Sequence, residues 1–154
     1  MRITILLILL LSACSTPNKE KESTLTKEEE EIAKELIQGS FDHIWGGVDS
    51  TAIAKYHTED YIILEHGEVW DNDRIKVYIR GQHQRENRPL RKNRMEYISI
   101  EKYGASIQMA YHNYAEFYRA DTLVSERQWL ESALAVKTEE GWRLKMMHST
   151  RVPR

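Results

Sequence analysis

The sequence predicts an α+β domain, with helices laid on one face of a long-stranded sheet. Two observations predict it. Before Pro89, apolar residues recur at helical spacing behind good capping residues, interrupted by one short strand. After Pro89, long segments alternate in the period-two manner of strands. Helices first and a run of long strands afterwards is the order of an α+β fold.

The first helix starts near Thr24 to Lys27. Thr26 followed three residues later by Glu29 fits a capping box, and Glu28 to Glu31 suit the positive end of the helix dipole. Ile32, Leu36, Ile37, Phe41, Ile44 and Trp45 form its apolar stripe, and Gly46-Gly47 ends it. The glutamate-lysine run reads as a solvated helix face, with an acidic partner-binding patch as the alternative. A short second helix runs from Asp49 as N-cap to about His57. Tyr61 to Glu65 reads as a strand, Gly67 as a turn and Val69-Trp70 as a returning hairpin. Asp71, Asn72 and Asp73 offer caps for a third helix that buries Ile75, Tyr78 and Ile79. Four strands follow, at Met95 to Lys102, Ile107 to Tyr118, Glu126 to Lys137 and Trp142 to Ser149. A Glu139-Glu140-Gly141 turn joins the last two.

The start of the chain is of another kind. Ile3 to Leu11 is an apolar run preceded by Arg2. As a helix it would be about 14 Å long, too short for a hydrocarbon core of about 30 Å. That is the layout of a signal peptide over residues 1–13. Leu11-Ser12-Ala13-Cys14 resembles the lipobox of bacterial lipoproteins, which implies cleavage before Cys14 and acylation of its thiol and new amine. Cys14 is the only cysteine, so no internal disulfide can form. A simple signal peptide with a chance cysteine, or a buried thiol, is the plain alternative. Ser15 resembles the signal that releases lipoproteins to the outer membrane of Gram-negative bacteria, so the expected location is the cell envelope, with membrane lipid as a partner. Residues 14–25 then form the lipidated cysteine and a polar tether, and residues 26–154 the domain.

Of 154 residues, roughly 130 remain for the folded part, enough for one compact domain. The formal net charge is −2, with no overall pull toward nucleic acid. No CxxC pair, HExxH, P-loop or GxGxxG is present, and no cofactor is expected. His66, His112, His148 and the glutamates include metal-ligand types but lack paired spacing, so no metal site is expected. Arg80, Arg85, Arg88, Arg91, Lys92 and Arg94 form a basic cluster, read as a solvated loop, or else as a contact for lipid headgroups or an anionic glycan.

The helix–GGVD–helix opening, the element EHGEVWDNDRIKVYI and the closing WLESALAVKTEEGWRLKMMHST resemble the nuclear transport factor 2-like superfamily, in particular its SnoaL-like members. The resemblance covers about residues 26 to 152. It implies a cystatin-like, cone-shaped curved antiparallel sheet wrapped around three N-terminal helices, with a pocket at the wide end. Glu65 matches the place of the general base in ketosteroid-isomerase-like members. Their oxyanion-binding tyrosine falls at Phe41 and their late-strand aspartate near Ala133, so steroid isomerisation is not implied.

Strand parity puts Ile107, Met109, Tyr111, Ala115 and Phe117 on a core face and His112, Tyr114, Glu116 and Tyr118 on the other, open to a pocket, a dimer interface or water. Trp129 shares a face with Glu131. His148 alternates with Trp142, Leu144 and Met146, which places it on the buried side with Glu131 as partner. The candidate acid/base groups are therefore Glu65, Glu131 and His148, and the candidate walls are Trp45, Trp70, Tyr114 and Trp129. The expected role is binding of a small hydrophobic or aromatic molecule. The alternatives are a cofactor-independent isomerase, cyclase or hydrolase, and a dimeric interaction module.

Overall fold

The computed structural model describes residues 24–153. The expected signal peptide, Cys14 and the tether up to residue 23 lie outside the described residues; of the tether's last two residues, Leu25 packs against the core, so the domain begins there.

Helix α1 (Lys27–Ser40) begins at the capping box read from the sequence. The Thr26 side chain accepts from the Glu29 N–H at 3.1 Å, and the Glu29 carboxylate accepts from the Thr26 N–H at 3.2 Å. Glu29 also pairs with Lys102 at 2.6 Å, tying the helix start to the sheet. The helix then loosens into a π-helical turn, Phe41–Gly46. Such wider turns are rare and cluster at functional sites. Here the turn buries Phe41 and Ile44 and leaves Trp45 partly exposed. Val48 follows with φ 59°, a left-handed conformation that costs a β-branched residue about 1–3 kcal/mol, held by its burial. A 3-10 turn (Ser50–Ala52), capped by Asp49, leads into the short α2 (Ile53–Tyr56).

Strand β1 (His57–Glu65) turns through His66 and Gly67, both at positive φ, into β2 (Glu68–Asp71). Asp71 caps α3 (Asn72–His83), which buries Ile75 and Ile79. The four long strands are β3 (Leu90–Tyr103), β4 (Ser106–Arg119), β5 (Thr122–Thr138) and β6 (Gly141–Arg151). All run longer than the sequence pattern suggests, β3 most of all at its start, where Arg91, Lys92 and Arg94 conceal the alternation.

The sheet has six strands in the order β2-β1-β6-β5-β4-β3. The sequence reading expects antiparallel pairing throughout. One pair departs from it: β1 runs parallel to β6, because β2, α3 and the three strands β3 to β5 intervene before the chain returns beside β1. The sheet is therefore curved and mixed. Register shifts at Tyr97/Ser99, Phe117/Tyr118 and Leu134/Ala135 each add a residue to one strand and bend it. The core fills the concave side, where Ile37, Ile44, Ile75, Ile79, Met109, Leu144 and Met147 interleave.

His57 is a core residue. Its Nδ1 lies 3.0 Å from Asn72 Oδ1 and its Nε2 3.3 Å from Ser40 Oγ, and its ring stacks on Tyr61 at 3.7 Å. Burial pushes its pKa down to about 4, so it is neutral near pH 7. Ser40 is fully buried, so this Ser-His-Asn chain holds α1, β1 and α3 together rather than meeting substrate.

Candidate functional site

The residues on the concave side do not fill it. A cavity of about 490 Å³ lies between the π turn and α3 on one side and the inner face of the sheet on the other. Its buried floor is Phe41, Ile63, Trp129, Glu131 and Ser149, and its exposed rim carries Arg85, Arg119, Val124 and Arg127. One wall is a run of rings. Phe41 and Trp45 are 6.4 Å apart, Trp45 and Tyr78 5.8 Å, and Tyr78 and Trp70 5.6 Å. The opposite wall is Trp129 and Phe117.

Glu131 is the deepest charged group, 4% exposed on β5. It accepts from Ser149 Oγ at 2.9 Å and from Asn113 Nδ2 at 3.1 Å. Asn113 in turn accepts from Asn93 Nδ2 at 2.6 Å, so a polar chain crosses from β3 to β6 beneath the cavity. Burial pushes the Glu131 carboxyl up to about 7, against the opposing pull of those two donors and of Arg91. Such a carboxyl can give or take a proton near neutrality. Two fully buried hydroxyls stand in its field: that of Tyr111, which interacts with the Glu131 carboxylate, and that of Tyr61, which has no hydrogen-bond partner.

Glu65 ends β1 at the cavity edge, where its Oε1 lies 2.8 Å from His66 Nε2. Trp70 is anchored by its indole N–H, which donates to Glu68 at 2.6 Å. Trp45, Trp70, Trp129, Glu65 and Glu131 therefore all line one cavity.

Two sequence-predicted site residues do not. His148 is exposed on the outer face and is not the partner of Glu131. The register shift opposite Leu134/Ala135 leaves Lys145 as an extra residue in β6, which reverses the strand's parity. Ser149 then points inward and takes the place expected for the histidine. Tyr114 lies on the outer face of β4, among Arg94, Glu116 and Gln128, away from the cavity.

Three residues that sequence reasoning did not single out complete the site. Ser149 was hidden by the bulge. Asn113 sits in the inward series Ile107, Met109, Tyr111, Ala115, and a lone amide in such a series is its own signal. Arg91 falls in the basic cluster read as a solvated loop. That segment is the first part of β3, and Arg91 shares the inward parity of Asn93, Met95 and Tyr97. Its guanidinium carbon lies 5.1 Å from the Trp129 ring centroid, 5.4 Å from Phe41 and 5.8 Å from Phe117. The residue keeps some exposure, but its Nε is buried with no hydrogen-bond partner.

Among the described residues, no three His, Cys, Asp or Glu side chains gather closely enough to hold a metal ion. No described helix is long and apolar enough to cross a membrane.

No protein-family model matches the chain, and no curated protein matches it. Solved structures do. A protein of unknown function with a cystatin-like fold from Nostoc punctiforme is 11% identical, with a TM-score of 0.70 over 84% of this chain and 96% of that one. A CamKII hub homology domain from Chlamydomonas reinhardtii is 18% identical, with a TM-score of 0.69 over 83% and 100%. An NTF2-like protein from Cytophaga hutchinsonii is 8% identical, with a TM-score of 0.64 over 80% and 98%. The chain thus has the NTF2-like, cystatin-like fold that the sequence motifs resemble.

Proposed function

We propose that this chain is an envelope lipoprotein whose NTF2-like domain binds a small hydrophobic or aromatic molecule in the cavity behind its sheet. One observation carries the reading: five aromatic side chains, Phe41, Trp45, Trp70, Tyr78 and Trp129, converge on one cavity, with Glu131 and Ser149 at its floor. Small-molecule sites combine aromatic walls with placed polar groups in a volume of about 300–1,000 Å³. Native mass spectrometry of the protein purified from its own host is the test, with a retained organic molecule as the expected result.

Anchoring rests on Leu11-Ser12-Ala13-Cys14. Two or three acyl chains at about 0.8 kcal/mol per buried methylene hold almost permanently. Cys14→Ser is expected to move the protein from the membrane to the soluble fraction. Continued sedimentation with lipid would refute the lipobox reading.

A second reading has its own observation. Glu131, buried and poised near neutrality, suits a cofactor-independent isomerase, cyclase or hydrolase, with Glu65 as a second carboxylate at the edge. In that reading Glu131→Gln loses turnover, and a variant that keeps full turnover removes Glu131 as acid or base.

A further inference from the structure

The cavity's charge does not match that of its floor carboxylate. Arg85, Arg88, Arg91, Arg119 and Arg127 line it, against Glu65 and Glu131 alone. Among the described residues none of the five arginines makes an ion pair, whereas Arg74, Arg94 and Arg143 elsewhere on the surface all do. Arg85 and Arg88 are spent in part on neutral oxygens, of Gln82 and of Gly46. Arg91 is the deep one, ringed by Phe41, Phe117 and Trp129, with its Nε unpartnered.

A buried charged donor without a partner costs more than a neutral one. Ring faces return part of that cost as cation–π attraction but accept no N–H bond along the guanidinium plane. Glu131 is near enough to feel the charge of Arg91, yet both its oxygens are held by Ser149 and Asn113 and it forms no ion pair with the arginine. Among the described residues no hydrogen bond or ion pair holds the Nη donors of Arg91, and the side chain lines the cavity, so those donors meet a group that enters it.

We propose that the ligand of this cavity is a small amphipathic anion, an aromatic body bearing a carboxylate, whose acid group pairs with Arg91 while its ring stacks among Phe41, Trp45 and Trp129. The inference rests on the binding reading above and adds the sign and kind of its ligand. A carboxylate meets a guanidinium through two parallel N–H···O bonds, and the match is stronger in a desolvated site. Arg119 and Arg127 at the exposed rim draw the anion in and discriminate against cations.

Titration calorimetry of the full-length chain in a neutral maltoside detergent, near neutral pH, tests this with two probes of one shape. These are 2-naphthoate, an anion, and 2-naphthamide, neutral. The expected result is naphthoate bound at least about tenfold more tightly, or about 1.4 kcal/mol. Arg91→Met is expected to bring the two affinities together and leave that for naphthamide within about threefold, with Arg91→Lys retaining part of the preference. Arg127→Gln, at an exposed position, is expected to weaken naphthoate about threefold and leave naphthamide unchanged. Equal affinity of the native protein for both probes, or a preference that survives Arg91→Met, overturns the anion inference and leaves the binding reading standing. Failure of both probes to bind removes the binding reading and this inference with it. The native protein's own selectivity decides the matter if Arg91→Met does not fold.

Discussion

Glutamine at position 131 is expected to remove a contribution to stability that falls as pH rises from about 4.5 to about 7. The folded carboxyl titrates near 7 and the unfolded one near 4.5. Between those values the folded state holds the extra proton, so unfolding becomes easier as pH rises. The stabilisation is whole below pH 4.5 and gone above about 7. Its size is at most about 3 kcal/mol, from about 1.4 kcal/mol for each pH unit of displacement. His57 acts in the opposite sense. Its folded pKa is about 4 against 6.5 unfolded, so the unfolded state holds the extra proton between them. Stability from His57 is whole above pH 6.5 and lost as pH falls toward 4, again at most about 3 kcal/mol.

The two slopes cancel where they overlap, from about pH 4.5 to 6.5. Each single variant should therefore uncover the other residue's slope. Glu131→Gln should leave stability rising with pH across that window, and His57→Gln should leave it falling. Urea midpoints taken across the range read both. A Glu131→Gln profile parallel to the native one would show that Glu131 titrates alike in both states.

Valine at Gly46 is expected to destabilise the domain by about 3 kcal/mol, at the upper end for overpacking. A Cβ there would stand 3.0 Å from the Arg91 carbonyl oxygen and 3.1 Å from that of Phe41. Both are backbone atoms, one in β3 and one in the π turn, and neither can turn aside as a side-chain tip can. Gly46 is the seat on which the start of β3 rests, and its own carbonyl accepts from Arg88 at 3.1 Å. The variant should therefore shift Arg91 and the cavity wall as well as lower the melting temperature. Gly81→Ala is the matched contrast. It lies in α3 with nothing within 4 Å of an added Cβ, so alanine should add about 0.5–1 kcal/mol through helix propensity. Thermal melts of the two variants separate close approach from a general intolerance of replacing glycine. A Gly46→Val protein as stable as the native one would contradict the packing described.

Most elements of the fold were readable because their signals are local. Thr26 with Glu29, Asp49 and Asp71 sit where a helix start needs an acceptor, and each caps one. The alternation along β4 marks its buried face from Ile107 to Ala115. What could not be read depends on registers between strands. One added residue at Lys145 exchanges His148 for Ser149, and nothing in WRLKMMHST announces it. The parallel neighbour of β1 is likewise a matter of topology, since the same β1 sequence would suit an antiparallel neighbour. Arg91 was overlooked for a chemical reason: in a run of cations, solvent is the default place for each, and only the strand's parity picks out the one turned inward.

The central claim is that the aromatic cavity holds a small molecule. It is tested most directly by native mass spectrometry of the full-length protein from its host, beside a Ser125→Trp variant in which an indole at the lining position fills the opening. The account predicts one retained organic adduct on the native chain that is absent from the variant. An unadorned mass for both proteins, or the same adduct on both, would contradict it.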